Sequence, residues 1–433
     1  MRKKCILLLG MLLTLTLSSC GADTADGSLY RLPRLPNEYE SLEQQIDALL
    51  AAGAEHVSPT SGNNLQSVQM VDLDSDGVEE AVAFFSKNDD EKPMKIYIFR
   101  AEEGNYVPAY AIEGTSDSIY SIAYNDLDGD GWREILVGFR SNLDVQGLSV
   151  FSLSALEPEM LLTTGYSRYI ACDMDGDGKQ ELIVVRSDEE NLAVADGYVW
   201  AEGTLVPLAS LHLSMTSAEV SRLTGGTLTN GETALFVTGT TAEGGEITDV
   251  LTVRGNSLQS VSAGVTVSGE ASRFASLYPT DINNDGVTEV PMPVAFPKLD
   301  PEGETYYRIF WQQCDEKGNY KTVYRTLHNV QDGWSLVLPK EWDNHVGITR
   351  QSVTGGYLVT FYDCVGEHKE FLEIGTFTGD AREAQAQQGE RFSLIRQAEQ
   401  ICTAEIFAPD RIEEETLRES FSLLTAEWNT GEN

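Results

Sequence analysis

The chain has 433 residues, 41% hydrophobic and 23% charged, with a formal net charge of −38. That is enough apolar material to bury a core and enough length for two domains. The acidic balance repels nucleic acid and anionic lipid headgroups and excludes both as partners.

The first segment is read as a targeting sequence. Arg2, Lys3 and Lys4 precede an almost wholly apolar run from Cys5 to Leu17, followed by Leu17-Ser18-Ser19-Cys20 and Gly21. A charged start, an apolar centre and small residues at the end are the layout of a secretory signal. The run is too short for a bilayer-spanning helix, which takes roughly 20 residues, and no later run is long enough either. The tetrapeptide resembles the bacterial lipobox. The resemblance implies that residues 1–19 are removed, that Cys20 is S-diacylglycerylated, and that the protein is lipid-anchored to the bacterial cell membrane, facing the extracytoplasmic side. Several acyl chains hold stably, because each buried methylene contributes about 0.8 kcal/mol. Loss of the three cationic residues of the signal leaves a charge of −41.

Residues 20–36 are polar, carry Pro33 and Pro36, and read as a tether. Residues 37–54 read as a short helix: Asn37 and Glu40 form a capping box, Leu42, Ile46, Leu49 and Leu50 share a face, and Gly53 ends it.

From residue 55 to 325 one pattern returns. It runs Asp72-Leu73-Asp74-Ser75-Asp76-Gly77-Val78-Glu79-Glu80, then Asp126-Leu127-Asp128-Gly129-Asp130-Gly131-Trp132-Arg133-Glu134. The third copy is Asp173-Met174-Asp175-Gly176-Asp177-Gly178-Lys179-Gln180-Glu181, and another is Asp281-Ile282-Asn283-Asn284-Asp285-Gly286-Val287-Thr288-Glu289. The starts are 54, 47 and 108 residues apart, and 108 is twice 54. A hidden copy is therefore expected midway, and Gly226–Ala234 supplies it, keeping Asn230-Gly231 in register but losing the carboxylates. The stretches Val68–Val71, Ile119–Tyr124, Tyr169–Cys172 and Phe274–Tyr278 precede the acidic loops, and β-rich runs such as Ala81–Phe85, Ile135–Val137 and Leu182–Val185 follow the first three. After the last loop Pro291 and Pro293 mark an edge or shortened strand. Strands throughout, at a period near 50, read as propeller blades.

After about Thr326 the repeat fades. Strands are expected at Gly333–Pro339, Val346–Val353, Tyr357–Asp363, Phe371–Phe377 and within Phe392–Phe407. A closing helix is capped by Asp410 and Glu413 and buries Leu417, Phe421, Leu424 and Trp428. Residues 326–433 thus read as a small α+β module ending in an amphipathic helix, with diverged closing blades plus a helix as the competing reading.

The loop chemistry points to a hard cation. Calcium takes six to eight oxygens at about 2.3–2.6 Å. Acids at positions one, three and five of a tight turn converge, glycine at six allows the turn, position seven offers its carbonyl, and the acid at nine closes the shell. Empty, such a group of carboxylates repels itself. An EF-hand would place its acid at twelve, which here is Ala83, Val137, Val184 or Met292. The pattern instead resembles the calcium loops of FG-GAP and VCBS repeats, the blades of integrin α-like propellers, from roughly Leu65 to Pro293. The resemblance implies a mainly β chain, a calcium-loop β-propeller of about five to seven blades. It implies side-chain ligands Asp72, Asp74, Asp76 and Glu80; Asp126, Asp128, Asp130 and Glu134; Asp173, Asp175, Asp177 and Glu181; and Asp281, Asn283, Asp285 and Glu289. The Asn283 site, one charge poorer, is expected to bind more weakly.

Cys172, Cys314, Cys364 and Cys402 remain beyond the signal and the anchor. Export permits disulfides, three pairings are open, and so is the reduced state with four small apolar side chains. None of the five histidines stands in a catalytic or metal-ligand spacing. The functional expectation is a calcium-stabilised surface propeller that binds a protein or glycan and is not an enzyme. The alternative is a calcium-dependent polysaccharide lyase or hydrolase on the same scaffold.

Overall fold

A computed structural model describes residues 39–141, 146–153, 157–255, 257–268 and 277–424. Cys20, the signal, the tether and Asn37 lie outside them. The described chain is mainly β and divides into two compact units. One comprises residues 39–58 with 66–72 and 76–114; the other comprises 59–65, 73–75 and the described residues from 115 onward.

In the first unit, the helix Glu40–Ala51 presents the expected stripe. Leu42, with Ile46, Leu49 and Leu50 beside it, packs on Ala81, Ala83, Phe85 and Phe99. Gly53 follows the helix at φ +92°, a left-handed conformation that glycine adopts without a Cβ clash. The strand Glu80–Ser86 is buried along its whole length because it is flanked on both edges. Glu55–His56 and Val68–Val71 pair with its two halves on one side, and Met94–Glu102 and then Asn105–Gly114 extend the other.

The second unit repeats this plan. Ser118–Asn125, Glu134–Arg140, Gln146–Ser152 and Glu159–Gly165 form an antiparallel meander in chain order. Arg168–Cys172, Glu181–Ser187, Leu192–Ala201 and Thr204–Pro207 form the next, with Leu211–Thr216 added to Leu192–Ala201. Val220–Thr227, Thr233–Thr240, Glu246–Val253 and Leu258–Val267 form the fourth sheet of the chain. Second strands are apolar on both faces because each sheet packs against its neighbours. Leu136, Leu148 and Val150 meet Leu182 and Val184. On the other face of the third sheet, Ile183 and Val185 meet Leu235 and Val237. Consecutive four- and five-stranded meanders packed face to face are the blades of a β-propeller.

The hidden copy is an inter-strand turn at the place of the acidic loops, but shorter by one residue. Gly226 pairs with Ala234, whereas Cys172 pairs with Glu181 and Asn125 with Glu134. Asn230 still accepts the Glu232 N–H at 3.1 Å, and Gly231 keeps φ +86°. A Cβ on Gly226 would collide with Thr288 of the next sheet.

Of the expected strand Phe274–Tyr278, residues 274–276 lie outside the described residues. Leu277 and Tyr278 are irregular, and the edge is reduced to one bridge, Thr280 with Glu289. The reason lies in the strand Glu289–Ala295. Glu289 exchanges both backbone hydrogen bonds with Thr280. Residues two and four further on point the same way, and they are Pro291 and Pro293, which have no N–H to give. Among the described residues no further ladder partner follows, and Glu289–Ala295 stands at the edge of its sheet.

Its sheet continues through Tyr307–Cys314, Tyr320–Asn329 and Trp334–Val337, so the boundary expected at 325/326 falls inside a strand. The last sheet holds Val346–Val353, Gly356–Asp363, Glu370–Thr378, Gln400–Ile406 and Phe392–Arg396 in that spatial order. Both sheets share one core, where Trp334, Leu336, Trp342, Phe361 and Phe371 are buried together. The expected closing helix is only Glu414–Ser420, and Glu413 precedes it without a side-chain cap. Phe421 lies on a strand, Phe421–Leu423, not on the helix. The edge of Trp334–Val337 captures it: Leu336 pairs with Phe421, and the Ser335 and Ser422 hydroxyls lie 2.7 Å apart. Leu424 follows the strand, and Trp428 lies outside the described residues. The four cysteines beyond the signal and anchor are unpaired, as in the reduced reading.

Phe421→Ala should lower the unfolding free energy by about 3–4 kcal/mol, as other large-to-small core changes do. Urea unfolding measures it; a loss of no more than about 0.5 kcal/mol, the level of surface substitutions, would argue against this strand.

Candidate metal centres in the inter-strand loops

The first acidic loop joins Val68–Val71 to Glu80–Ser86, the second and third join the first two strands of their sheets, and the last follows a bridge instead of a strand. The acid at position nine is the first residue of the strand that follows the loop and is deeply buried: Glu80, Glu134, Glu181 and Glu289 are 4%, 2%, 2% and 0% exposed. Its carboxylate accepts the N–H of position two, from Leu127 at 2.9 Å, Met174 at 2.7 Å and Ile282 at 3.0 Å. Leu73, Leu127 and Met174 are buried at that position and plug the loop into the core.

The acid at position one organises the turn. Asp72, Asp126, Asp173 and Asp281 accept the N–H of the position-six glycine at 3.1, 3.0, 3.0 and 2.8 Å. Those glycines have φ of +85° to +92°, which explains their recurrence. Position five also accepts from the loop backbone. Asp76, Asp130, Asp177 and Asp285 each accept the position-seven N–H at 2.7–2.9 Å.

Carboxylate oxygens of Asp72, Asp74 and Glu80 lie within 4.8 Å of one another, as do those of Asp126, Asp128 and Glu134, and of Asp173, Asp175 and Glu181. Positions one, three and nine are thus brought together; Asp76, Asp130 and Asp177 are not part of these groups. In the last loop the group is Asp281, Asp285 and Glu289. There Asn283 turns its amide nitrogen toward Asp285 and Glu289, at 3.0 and 3.3 Å.

The electrostatics of the second and third loops suit a cation. The Glu134 carboxyl is pushed up to about 7, first by burial and then by Asp128, Asp130 and Asp126. Glu181 is likewise raised to about 7 by burial, then by Asp175, Asp177 and Asp173. Asp128 is raised by burial and by its acidic neighbours. In the first loop Asp72 Oδ1 is buried without a hydrogen-bond partner. Buried carboxylates crowded together, with an orphaned oxygen among them, are a donor set that fits a hard cation.

Within the second unit the loops are also joined to one another. The Arg133 N–H donates to the Leu73 carbonyl at 2.8 Å, Gln180 to Leu127 at 3.2 Å, and Thr288 to Thr227 of the hidden copy at 2.9 Å. The Ser75 hydroxyl donates to Gly131 O at 2.6 Å.

Two features were not found from sequence. Gln313, on the strand beside the last loop, donates its amide to both Asp285 and Glu289 at 2.8 Å. The only signal was strand register, since Gln313 pairs with Glu289. A cleft between the last two sheets is lined by Tyr306, Tyr307, His328, Ile348 and Arg350. Burial lowers His328 to about 4, and Arg350 is held by Asp332 at 2.7 Å. Residue types scattered over 45 positions give no local motif.

No protein-family model matches the chain, and no curated protein does. Among solved structures, a protein from Lactobacillus plantarum aligns over 72% of this chain and 86% of its own, at 9% identity and a TM-score of 0.31. Saccharomyces cerevisiae Sqt1 aligns over 72% and 87%, at 10% identity and the same TM-score of 0.31. Superpositions this loose carry no argument about the chain.

A raised carboxyl pKa fixes the sign of a pH effect. Glu134 and Glu181 stabilise the cation-free fold while protonated, and that stability is lost as pH rises from the ordinary carboxyl range through about 7. In chelator, Glu134→Gln should therefore melt above the wild type at pH 8, because the amide oxygen can still accept the Leu127 N–H. In calcium the order should reverse. Melting curves in the two buffers check this; the same order in both would sink it.

Proposed function

We propose that the chain is a membrane-anchored extracytoplasmic lipoprotein whose blades are fixed by calcium and which serves as a binding or scaffold module for a protein or glycan, in the manner of FG-GAP and VCBS propellers. The observation that carries this reading is the threefold recurrence of one arrangement, acids from positions one, three and nine gathered within 4.8 Å at the root of a buried strand.

All the donors are oxygens, which favours calcium, magnesium or manganese over softer ions. Calcium is preferred because carboxylates and carbonyls from one flexible turn suit its irregular, many-oxygen shell better than the octahedron magnesium demands. Asp72, Asp74 and Glu80, Asp126, Asp128 and Glu134, and Asp173, Asp175 and Glu181 would hold the ions. The bound ion supplies positive charge that cancels carboxylate repulsion. The chain does the rest: position one orders the turn through the glycine N–H, and position nine ties the turn to the strand. The acids are therefore better suited to structure than to proton transfer. A ligand face built from blade loops would be made rigid by the same ions. Attachment follows from the resemblance of Leu17-Ser18-Ser19-Cys20 to the lipobox.

A ligand that binds only the folded state stabilises it by about 2.7 kcal/mol per site at a hundredfold excess over Kd. Calcium should thus raise the melting temperature clearly. Chelator should lower it, and Val137→Thr at position twelve should leave affinity unchanged. Calorimetric titration showing no uptake at millimolar calcium would remove the metal reading. Cys20→Ala should move the protein out of the membrane fraction or leave an unprocessed precursor; normal processing with full membrane retention would contradict the anchor.

A further inference from the structure

The last acidic loop has the spacing of the others but a different set of partners. In the second and third loops the acids at positions one, three, five and nine accept N–H groups of the loop's own backbone. In the last loop two side-chain amides enter as well. Gln313 lies directly across from Glu289 in the neighbouring strand. Its Nε2 is 2.8 Å from Glu289 Oε1 and 2.8 Å from Asp285 Oδ2. The Asn283 Nδ2 approaches the same two oxygens at 3.3 and 3.0 Å. One carboxylate has been exchanged for an amide at position three, and a second amide arrives from outside the loop.

We propose that Gln313 takes the cation's role in this loop, so that the Asp281–Glu289 turn is held by amide N–H groups and needs no metal. An amide NH2 carries two protons and can serve two carboxylates at once. Bridging Asp285 and Glu289, it offsets their mutual repulsion where the other loops need a positive ion. An ion entering here would have to displace both amides from the two oxygens it most needs. The loop also opens the sheet whose edge is cut short by Pro291 and Pro293, where a clamp from the adjacent strand compensates for missing ladder hydrogen bonds. The proposal rests on the reading that the other three loops hold calcium, and it is an alternative to the expectation of a weaker calcium site in this loop.

The test compares calcium titrations and melting of the wild type, Gln313→Met and Gln313→Lys, each as the full chain. Methionine keeps the length and loses the N–H; lysine puts a positive group in the same place. The wild type should fill the first three loops only. Gln313→Met should melt several degrees lower in chelator and recover in calcium with one more ion bound. Gln313→Lys should melt at or above the wild type in chelator and gain no ion, which keeps the test decisive if the methionine variant does not fold. Four equivalent ions in the wild type, or a Gln313→Lys protein destabilised in chelator, would overturn the proposal and leave the calcium reading standing. No calcium uptake by the wild type would overturn the calcium reading instead. Melting in chelator then decides the proposal alone, and a Gln313→Met curve identical to wild type would end it.

Discussion

The constraint on which the blades depend is a buried carboxylate at the first residue of a second strand. Glu134, Glu181 and Glu289 sit at 2% exposure or less because the strand they begin is covered on both faces. Each uses one oxygen to bind the backbone of position two, whose side chain is itself buried or half-buried. The turn is thereby fastened at both ends to the core. The other oxygen is left facing more acids in a setting that disfavours charge. The fold places a charge where burial opposes it, and the loop must supply a remedy.

The loops show three remedies. In the second and third, carboxylates alone surround the buried glutamate, and an external cation answers them under the proposed reading. In the last acidic loop, amides from Asn283 and Gln313 stand against the same acids. In the hidden copy there is no buried acid. The turn is one residue shorter, and the Leu228 N–H is accepted at 2.9 Å by the Glu232 carbonyl. Leu228 is fully buried, as Leu127 is. The anchor in the core is therefore retained in all of these turns, while the means of balancing it differs. This is what a turn selected first for strand geometry would look like.

Much of this was legible in the sequence because two periodicities overlap. The loop motif repeats at blade spacing, and second strands such as Leu182–Val185 are unbroken apolar runs, which only a strand covered on both faces requires. The one-residue deletion in Gly226–Ala234 was not legible, because Asn230-Gly231 stays in register while the shortening precedes it. Nor was the irregular course of Leu277 and Tyr278: the apolar residues there promise a strand, and the missing N–H groups that disfavour a ladder belong to Pro291 and Pro293 across from them. Phe421 fits the apolar stripe of the preceding helix, and a vacant strand edge at Trp334–Val337 outweighs that local pattern. Gln313 is invisible for a related reason, since its role exists only across a strand pair. What escaped the sequence in each case was a cross-strand relation, which no local pattern encodes.

The link between blades adds a last step. The position-eight N–H of one loop donates to the preceding loop, from Arg133 to Leu73, Gln180 to Leu127 and Thr288 to Thr227. Position eight is the residue before the buried glutamate. Whatever holds that glutamate in place therefore also sets the N–H that reaches the neighbouring sheet. A loosened loop in the second sheet would disturb its own strand entry and also its hydrogen bond to Leu73; a loosened third loop would disturb the bond to Leu127 in turn. Backbone hydrogen bonds thus join the second loop to Leu73, the third loop to the second and the last to the hidden copy, although the carboxylate groups are separate. The turn at Asp281–Glu289 passes its hydrogen bond to a turn whose one acid, Glu232, is paired with Arg254. The same backbone hydrogen bond, from position eight to the preceding turn, is made whether the loop's own acids face other carboxylates or amides.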